Sequence, residues 1–388
     1  MVAELVTDIG ELTTNIAGEP RRTDAALVID AGRIAWVGAA AAAPAVDTVT
    51  SVGGRAVLPG WVDSHTHLVF AGDRSAEFEA RMAGEAYVAG GIARTVRATR
   101  DASEADLTAN LRRLRTEALR QGTTYLETKT GYGLEVASEA LAARIAATEA
   151  DIVTFLGAHV VPHGMDARAY LDLVTGPMLD AVLPWVQFID VFCEQGAFDV
   201  EQSREVLQAG ARAGLGLRVH GNQLGHSGGV GLAVEVGAVS VDHCNALTAA
   251  DVAALAGSST VATVLPACDL STRQPLAPAR ALVDAGATVA IATNCNPGTS
   301  YTTSMAFCVA TAVLQMGLTV EEAVWSATRG GAVALGVADD ADAIGLIAVG
   351  GRADLQVLEA PSAAHLAYRP GVPLTAAVWR AGERVAGV

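Results

Sequence analysis

The run "DSHTHL" places two histidines, His65 and His67, two residues apart. On a strand both imidazoles would face one side, as two ligands of one metal ion must. A plainer reading makes them polar residues at a strand end, bonded to loop backbone. Pro59-Gly60 starts the run abruptly and Val62 packs it. His220 ends the apolar run "LRVH", His243 ends "VSVDH" and His159 ends "TFLGAH". Each of these alone suits a hydrogen-bonded core histidine. Five strand-end histidines among eight are hard to assign to packing, whereas His163, His226 and His365 fall in loop-like or helical contexts. Three imidazoles with an open position would bind Zn²⁺ or Fe²⁺ and lower the pKa of water to about 7. That chemistry is hydrolysis, with His65, His67 and His220 on the metal. His243 would stabilise an oxyanion or orient the water. Asn294 ends a further run, "VAIATN". An amide there can neither act as a base nor carry charge.

The elements that must position these side chains are eight apolar runs: "AVLPGWVDSH", "TTYLETKTG", "IVTFLGAH", "FIDVFCE", "LGLRVHG", "AVSVDHC", "TVATVLP" and "TVAIATN". Ala- and Leu-rich amphipathic segments separate most of them, which predicts βα units and a (β/α)8 barrel. A doubly wound open sheet is the competing arrangement. It would spread His65, His67, His159, Glu194, His220, His243 and Asn294 along a line, since strands sit about 4.8 Å apart. In a barrel the same strand ends converge on one mouth. Residues 57–340 are therefore expected to form a TIM-type barrel. Residues 1–56 and 341–388, strand-like with Gly turns, are expected to form a small β-sandwich. The sequence "AALVIDAGRIAWVG" carries a hairpin signal at Asp30-Ala31-Gly32.

The 388 residues are 51% hydrophobic and 18% charged, which predicts a large core rather than disorder. A formal charge of −16 argues against nucleic acid or an anionic membrane as partner, and leaves an anionic substrate to local cations. Five scattered cysteines give no disulfide framework and suit a reducing cytoplasm. "MVAELVTDIGEL" does not read as a signal peptide, and no run of roughly 18 uncharged apolar residues predicts a membrane span.

"LPGWVDSHTHLVFAGDRSAEF", "KTGYGLE", "TFLGAHVVP", "DVFCEQGAF", "VHGNQLG", "SVDHC" and "TNCNPGTSYTTSM" together resemble the imidazolonepropionases of the amidohydrolase superfamily. The resemblance runs from about Arg55 to the final strands. His-x-His alone points only to the superfamily, whereas "GDR", "KTGYGLE" and "NPG" are narrower. The resemblance implies opening of the cyclic amide of 4-imidazolone-5-propanoate to N-formimino-L-glutamate, in histidine breakdown. It implies one Zn²⁺ or Fe²⁺ per subunit at His65, His67, His220 and residue 294, and a homodimer. It also implies substrate binding by Arg74 and Tyr132, with His159, Asn296 and the Gly298 backbone nearby. A guanidinium at Arg74 suits a propionate through two parallel hydrogen bonds, against a rival loop pairing with Asp73 or Glu77. Tyr132, between Gly131 and Gly133, is expected on a flexible or tightly turned loop.

Two positions depart from the family. Asn294 stands where the family has an aspartate that carries a proton, and Gln223 where some members have a glutamate. Loss of a catalytic base costs about 10²–10⁴-fold. Proton transfer then falls to His243 or His159, tuned by Glu194 or Asp242, with Asp242 pointing away from His243 on a regular strand. Rival functions are a related cyclic amidohydrolase or deaminase, or a ligand-binding form impaired at Asn294.

Overall fold

The structure, a computed structural model, describes residues 3–84 and 91–387. In chain order the strands are β1 (Glu4–Ile16), β2 (Glu19–Asp30), β3 (Arg33–Ala39), β4 (Thr48–Ser51) and β5 (Ala56–Pro59). There follow β6 (Trp61–Asp63), β7 (Thr123–Lys129), β8 (Ile152–Ala158), β9 (Phe188–Cys193) and β10 (Gly216–Gly221). The last six are β11 (Ser240–His243), β12 (Val261–Val264), β13 (Val289–Ile291), β14 (Leu355–Leu358), β15 (Thr375–Arg380) and β16 (Glu383–Gly387). The chain divides into two compact units, one of Met1–Asp63, Thr116–Tyr125 and Ser304–Val388, the other of Ser64–Arg115 and Leu126–Thr303.

Strands from both chain ends make one mixed sheet, in the order β16-β15-β14-β5-β1-β2-β3, with β4 on β1. The hairpin expected near Asp30 is present: Asp30 pairs with Arg33 across Ala31 and Gly32, whose φ angles are 48° and 82°. Two consecutive left-handed residues match the twist of the flanking strands. Val6, Leu12, Leu27, Ile34, Val57, Leu355 and Trp379 share one buried cluster. Strands far apart in the sheet order contribute to it.

The remaining eight strands form a nearly closed parallel barrel in the order β13-β12-β11-β10-β9-β8-β7-β6. Strands β8 and β9 are buried along their whole length, as expected of parallel strands covered on both faces. The helix Val200–Arg212 starts with a capping box between Asp199 and Gln202, and Gly210 lets it lie against Ile189 of β9. The seam closes beyond the strand ends. There the His67 N–H donates to the Cys295 carbonyl at 2.9 Å, and the Asn294 N–H to the His65 carbonyl at 3.0 Å.

One expected strand is corrected. "AVLPGWVDSH" is two strands broken at Gly60, with Ala56–Pro59 in the terminal sheet and Trp61–Asp63 in the barrel. Gly60 has no room for a side chain. A Cβ on Gly60 would lie 2.1 Å from Oγ1 and 2.4 Å from Cγ2 of Thr124, while the Gly60 N–H donates to the Asp354 carbonyl. Thr is stiff at χ1 and cannot swing aside cheaply. Gly60→Ala is expected to lower stability by about 1–3 kcal/mol, read as a lower urea midpoint with an unchanged m value.

Candidate metal and active site

The site is built from the barrel interior upward. Period-two alternation on β7 sends both Glu127 and Lys129 inward, and Asp190 on β9, Arg218 on β10 and Asp242 on β11 meet them, all fully buried. Lys129 Nζ lies 2.9 Å from Glu127, 3.0 Å from Asp190 and 3.8 Å from Asp242. Arg218 reaches Asp242 at 3.2 Å and donates to the Ser64 carbonyl at 2.8 Å. Three carboxylates thus face two cations. Burial pushes Asp242 up, but Arg218, His65 and Lys129 outweigh it and hold the carboxyl well below its ordinary value. Asp190 is likewise held low against burial, by His220 and Lys129.

This charged floor orients the histidines above it. His65 donates Nδ1–H to Asp242 at 2.7 Å, which leaves a lone pair on Nε2. That Nε2 lies 3.2 Å from Nε2 of His67. His220 Nδ1 lies 3.0 Å from Asp190 Oδ2, near enough for attraction but out of line for a hydrogen bond. Ligand atoms of His65, His67 and His220 all fall within 4.8 Å of one another. Burial first, then Lys129, lowers His65 to about 3, and burial with its neighbouring imidazoles holds His67 well below 6.5. Neutral imidazoles present lone pairs, and two ring nitrogens 3.2 Å apart have a use for a shared cation. The donor set fits a divalent metal, and a carboxylate behind His65 is the usual device for orienting such a ligand.

One pocket is lined by His67, Arg74, Tyr132, His159, His220, Gln223, His243, Asn294 and Asn296, together with Ile92, Val160, Phe192 and Thr299. His65 lies beneath it. His243 faces the pocket although Asp242, its strand neighbour, faces the floor. The backbone turns left-handed at His243 (φ 85°) and Cys244 (φ 57°), so the two side chains are not on opposite faces. The expected tuning partners go elsewhere. Asp242 holds His65, and Glu194 accepts the backbone N–H groups of Gln195, Gln223 and Leu224. A second group of ligand-type side chains, His243, Cys268 and Asp269, also sits within 4.8 Å.

Asn294 has φ 52°, a conformation asparagine tolerates better than most residues. Its Oδ1 accepts from Asn296 Nδ2 at 3.2 Å, and Cys268 lies against its side chain. The Gln223 amide sits 3.9 Å from the same thiol. The Asn296 Oδ1 accepts the N–H groups of Gly298 and Thr299, so this side chain organises the "NPG" turn. The Gly298 N–H is therefore occupied by Asn296, and its carbonyl by Arg81 at 2.8 Å. What Gly298 contributes is room: a Cβ there would lie 2.1 Å from Nη1 of Arg74.

Arg74 is buried at the pocket wall and pairs with Glu77 through Nε at 2.9 Å and Nη2 at 2.5 Å. The rival loop pairing thus exists, on the pocket wall itself. Tyr132 is buried, with ring centroids 6.0 Å from His67 and 5.6 Å from His159. His159 donates Nδ1–H to the Gly131 carbonyl at 3.0 Å, and burial followed by His220 lowers it to about 4. The readings from sequence did not single out Glu127, Lys129, Asp190, Arg218, Arg81 or Glu139. The signal for the first four is a charge placed in register inside an otherwise apolar strand.

Two outcomes follow from this arrangement. Asp242→Asn keeps the shape behind His65 but removes the charge, and is expected to weaken metal retention by about 10–100-fold against a competing chelator. Asp269 is pushed up to about 7, chiefly by burial, with the Asn245 side chain and Ala277 N–H opposing. The folded state then binds a proton that the unfolded state releases above 3.8, so stability falls as pH rises across that window. Asp269→Asn should melt like the parent near pH ~4 and above it by pH ~8 in a thermal series.

An amidohydrolase family model matches residues 194–385. The chain is 67% identical to the imidazolonepropionase of Saccharopolyspora erythraea, covering 100% of both chains. It is 64% identical to that of Arthrobacter sp. (strain FB24), over 99% of this chain and 100% of the relative. In fold it is similar to an atrazine chlorohydrolase from Arthrobacter aurescens complexed with zinc, with TM-score 0.73, 18% identity and coverage of 99% and 95%. No described helix is long and apolar enough to cross a membrane. With the relatives matched over their full length, the chain belongs to the imidazolonepropionase family of amidohydrolases.

Proposed function

We propose that this chain hydrolyses the cyclic amide of 4-imidazolone-5-propanoate to N-formimino-L-glutamate, with one Zn²⁺ or Fe²⁺ per subunit held by His65, His67, His220 and Asn294. The observation that carries the reading is the gathering of the His65, His67 and His220 imidazoles at the floor of a pocket that a buried arginine also lines. The metal supplies Lewis acidity and acidifies water. The chain's own residues bind and orient. Arg74 meets the propionate, with Glu77 already holding one edge of its guanidinium. Tyr132, His159 and Phe192 wall the ring.

His243, kept neutral by burial and by the neighbouring His220 and His65, donates a hydrogen bond to the developing oxyanion without bringing a charge of its own. The departing ring nitrogen needs a proton. Asn294 and Gln223 are amides and cannot relay one, whereas His159 keeps a lone pair on Nε2 because Nδ1–H is given to Gly131, and so can take a proton from the attacking water and pass it to that nitrogen. His159 and His243 are thus the pocket groups assigned to proton transfer. A homodimer and a cytoplasmic location belong to the same proposal, on family resemblance.

Measured imidazolone consumption by the metal-loaded chain and by Asn294→Asp tests it. Both are expected to turn over, within about tenfold of each other, because the base lies elsewhere than residue 294. Turnover confined to the Asn294→Asp variant would sink the reading and leave the parent chain as a ligand-binding form.

A further inference from the structure

Glu139 does not line the pocket, yet the loop that carries Tyr132 is suspended from it. Glu139 lies fully buried in the helix Val136–Ala146. One carboxylate oxygen accepts the Gly131 N–H at 3.0 Å, and the other accepts those of Gly133 and Leu134 at 2.7 and 2.8 Å. From the opposite side Arg100 donates to the carbonyls of Gly133 at 2.6 Å and Leu134 at 3.1 Å. The loop needs holding. Gly131 has φ 111° and Leu134 φ 53°, the latter uncommon for a side chain of that size. A Cβ on Gly133 would lie 2.8 Å from the Glu139 backbone nitrogen, so loop and helix touch directly.

Two pocket residues depend on this arrangement. Tyr132 sits between the clamped glycines, with its ring against His67, His159 and Phe70. The Gly131 carbonyl, fixed by the same clamp, accepts from His159 and thereby chooses which of its nitrogens keeps the lone pair. We propose that Glu139 is a positioning residue for the substrate pocket, setting the Tyr132 ring directly and His159 through the Gly131 carbonyl. A carboxylate is required because three N–H donors need two acceptor oxygens. Glutamine has the same shape but one acceptor, and its NH₂ would face a backbone N–H.

The kinetic arm of the test rests on the ring-opening reading; the spectroscopic arm does not. In the metal-loaded full chain, Glu139→Gln is expected to raise KM about tenfold through the Tyr132 ring and to lower kcat about tenfold through His159. With ¹⁵N-histidine labelling, the His159 Nδ1–H signal should shift or broaden. A structural role alone would lower the yield or melting temperature of the variant and leave both readouts unchanged. A KM within about twofold of the parent, or an unmoved His159 signal in folded protein, overturns the proposal. Should Glu139→Gln not fold, Arg100→Met, an exposed change, decides: KM up about threefold supports the clamp and an unchanged KM refutes it. A parent chain that opens no ring removes the functional reading, and the histidine spectra still judge the clamp.

Discussion

Five charged side chains are fully buried beneath the imidazoles, and the site depends on their mutual satisfaction. Lys129 touches Glu127 and Asp190 and approaches Asp242, which also takes Arg218 and His65. Burying any one of these alone would cost several kcal/mol, roughly, and removing one partner leaves the others uncompensated. The cluster is therefore an all-or-none arrangement. Its excess carboxylate charge is spent on two histidines: Asp242 fixes the tautomer of His65, and Asp190 draws Nδ1 of His220. With those nitrogens turned downward, the other ring nitrogens face the pocket. The geometry of the candidate ligands is thus decided one layer below them.

The second constraint is backbone conformation at the mouth. His243, Cys244, Asn222 and Asn294 all adopt positive φ at or just past barrel strands. A regular strand would alternate side chains in and out, so consecutive residues could not both serve the interior. The left-handed turn at His243 lets Asp242 brace the floor while His243 enters the pocket. The same device at Asn294 brings its side-chain oxygen to Asn296 while its backbone N–H makes the seam hydrogen bond to the His65 carbonyl. Strain of this kind persists where surrounding contacts over-determine it.

These two constraints explain what the sequence disclosed. Strand-end histidines were legible because apolar runs mark strands and a polar residue ends each one. The barrel was legible because eight such runs need one shared mouth. Glu127, Lys129, Asp190 and Arg218 were not read, although each stands at inward register, because a charge in an apolar run has no evident partner until the strands are brought together. The run around Gly60 reads as one strand with an abrupt start at Pro59-Gly60; only the pairing of its two halves with different sheets shows the break. Glu139 was invisible for another reason. It acts on backbone N–H groups, which nearly every residue carries, so no pairing of side-chain types announces it.

The amide at 294 follows from the same charge accounting. A divalent cation held by uncharged imidazole ligands, over a floor with one excess carboxylate, would leave the site with a formal charge of about +1. A carboxylate at 294 would bring that to about zero. In the proposed reaction the amide would give up a proton acceptor, yet leave more positive potential where negative charge develops on the ring carbonyl oxygen. Its side chain is tied to Asn296 and Cys268, while the seam is held by its backbone N–H, which an aspartate would also carry. With no proton acceptor at 294, the proposed ring opening would have to move its proton through groups with free imidazole nitrogens. His159 and His243 stand in that position, one set by the clamp at Gly131 and the other by the turn that ends β11.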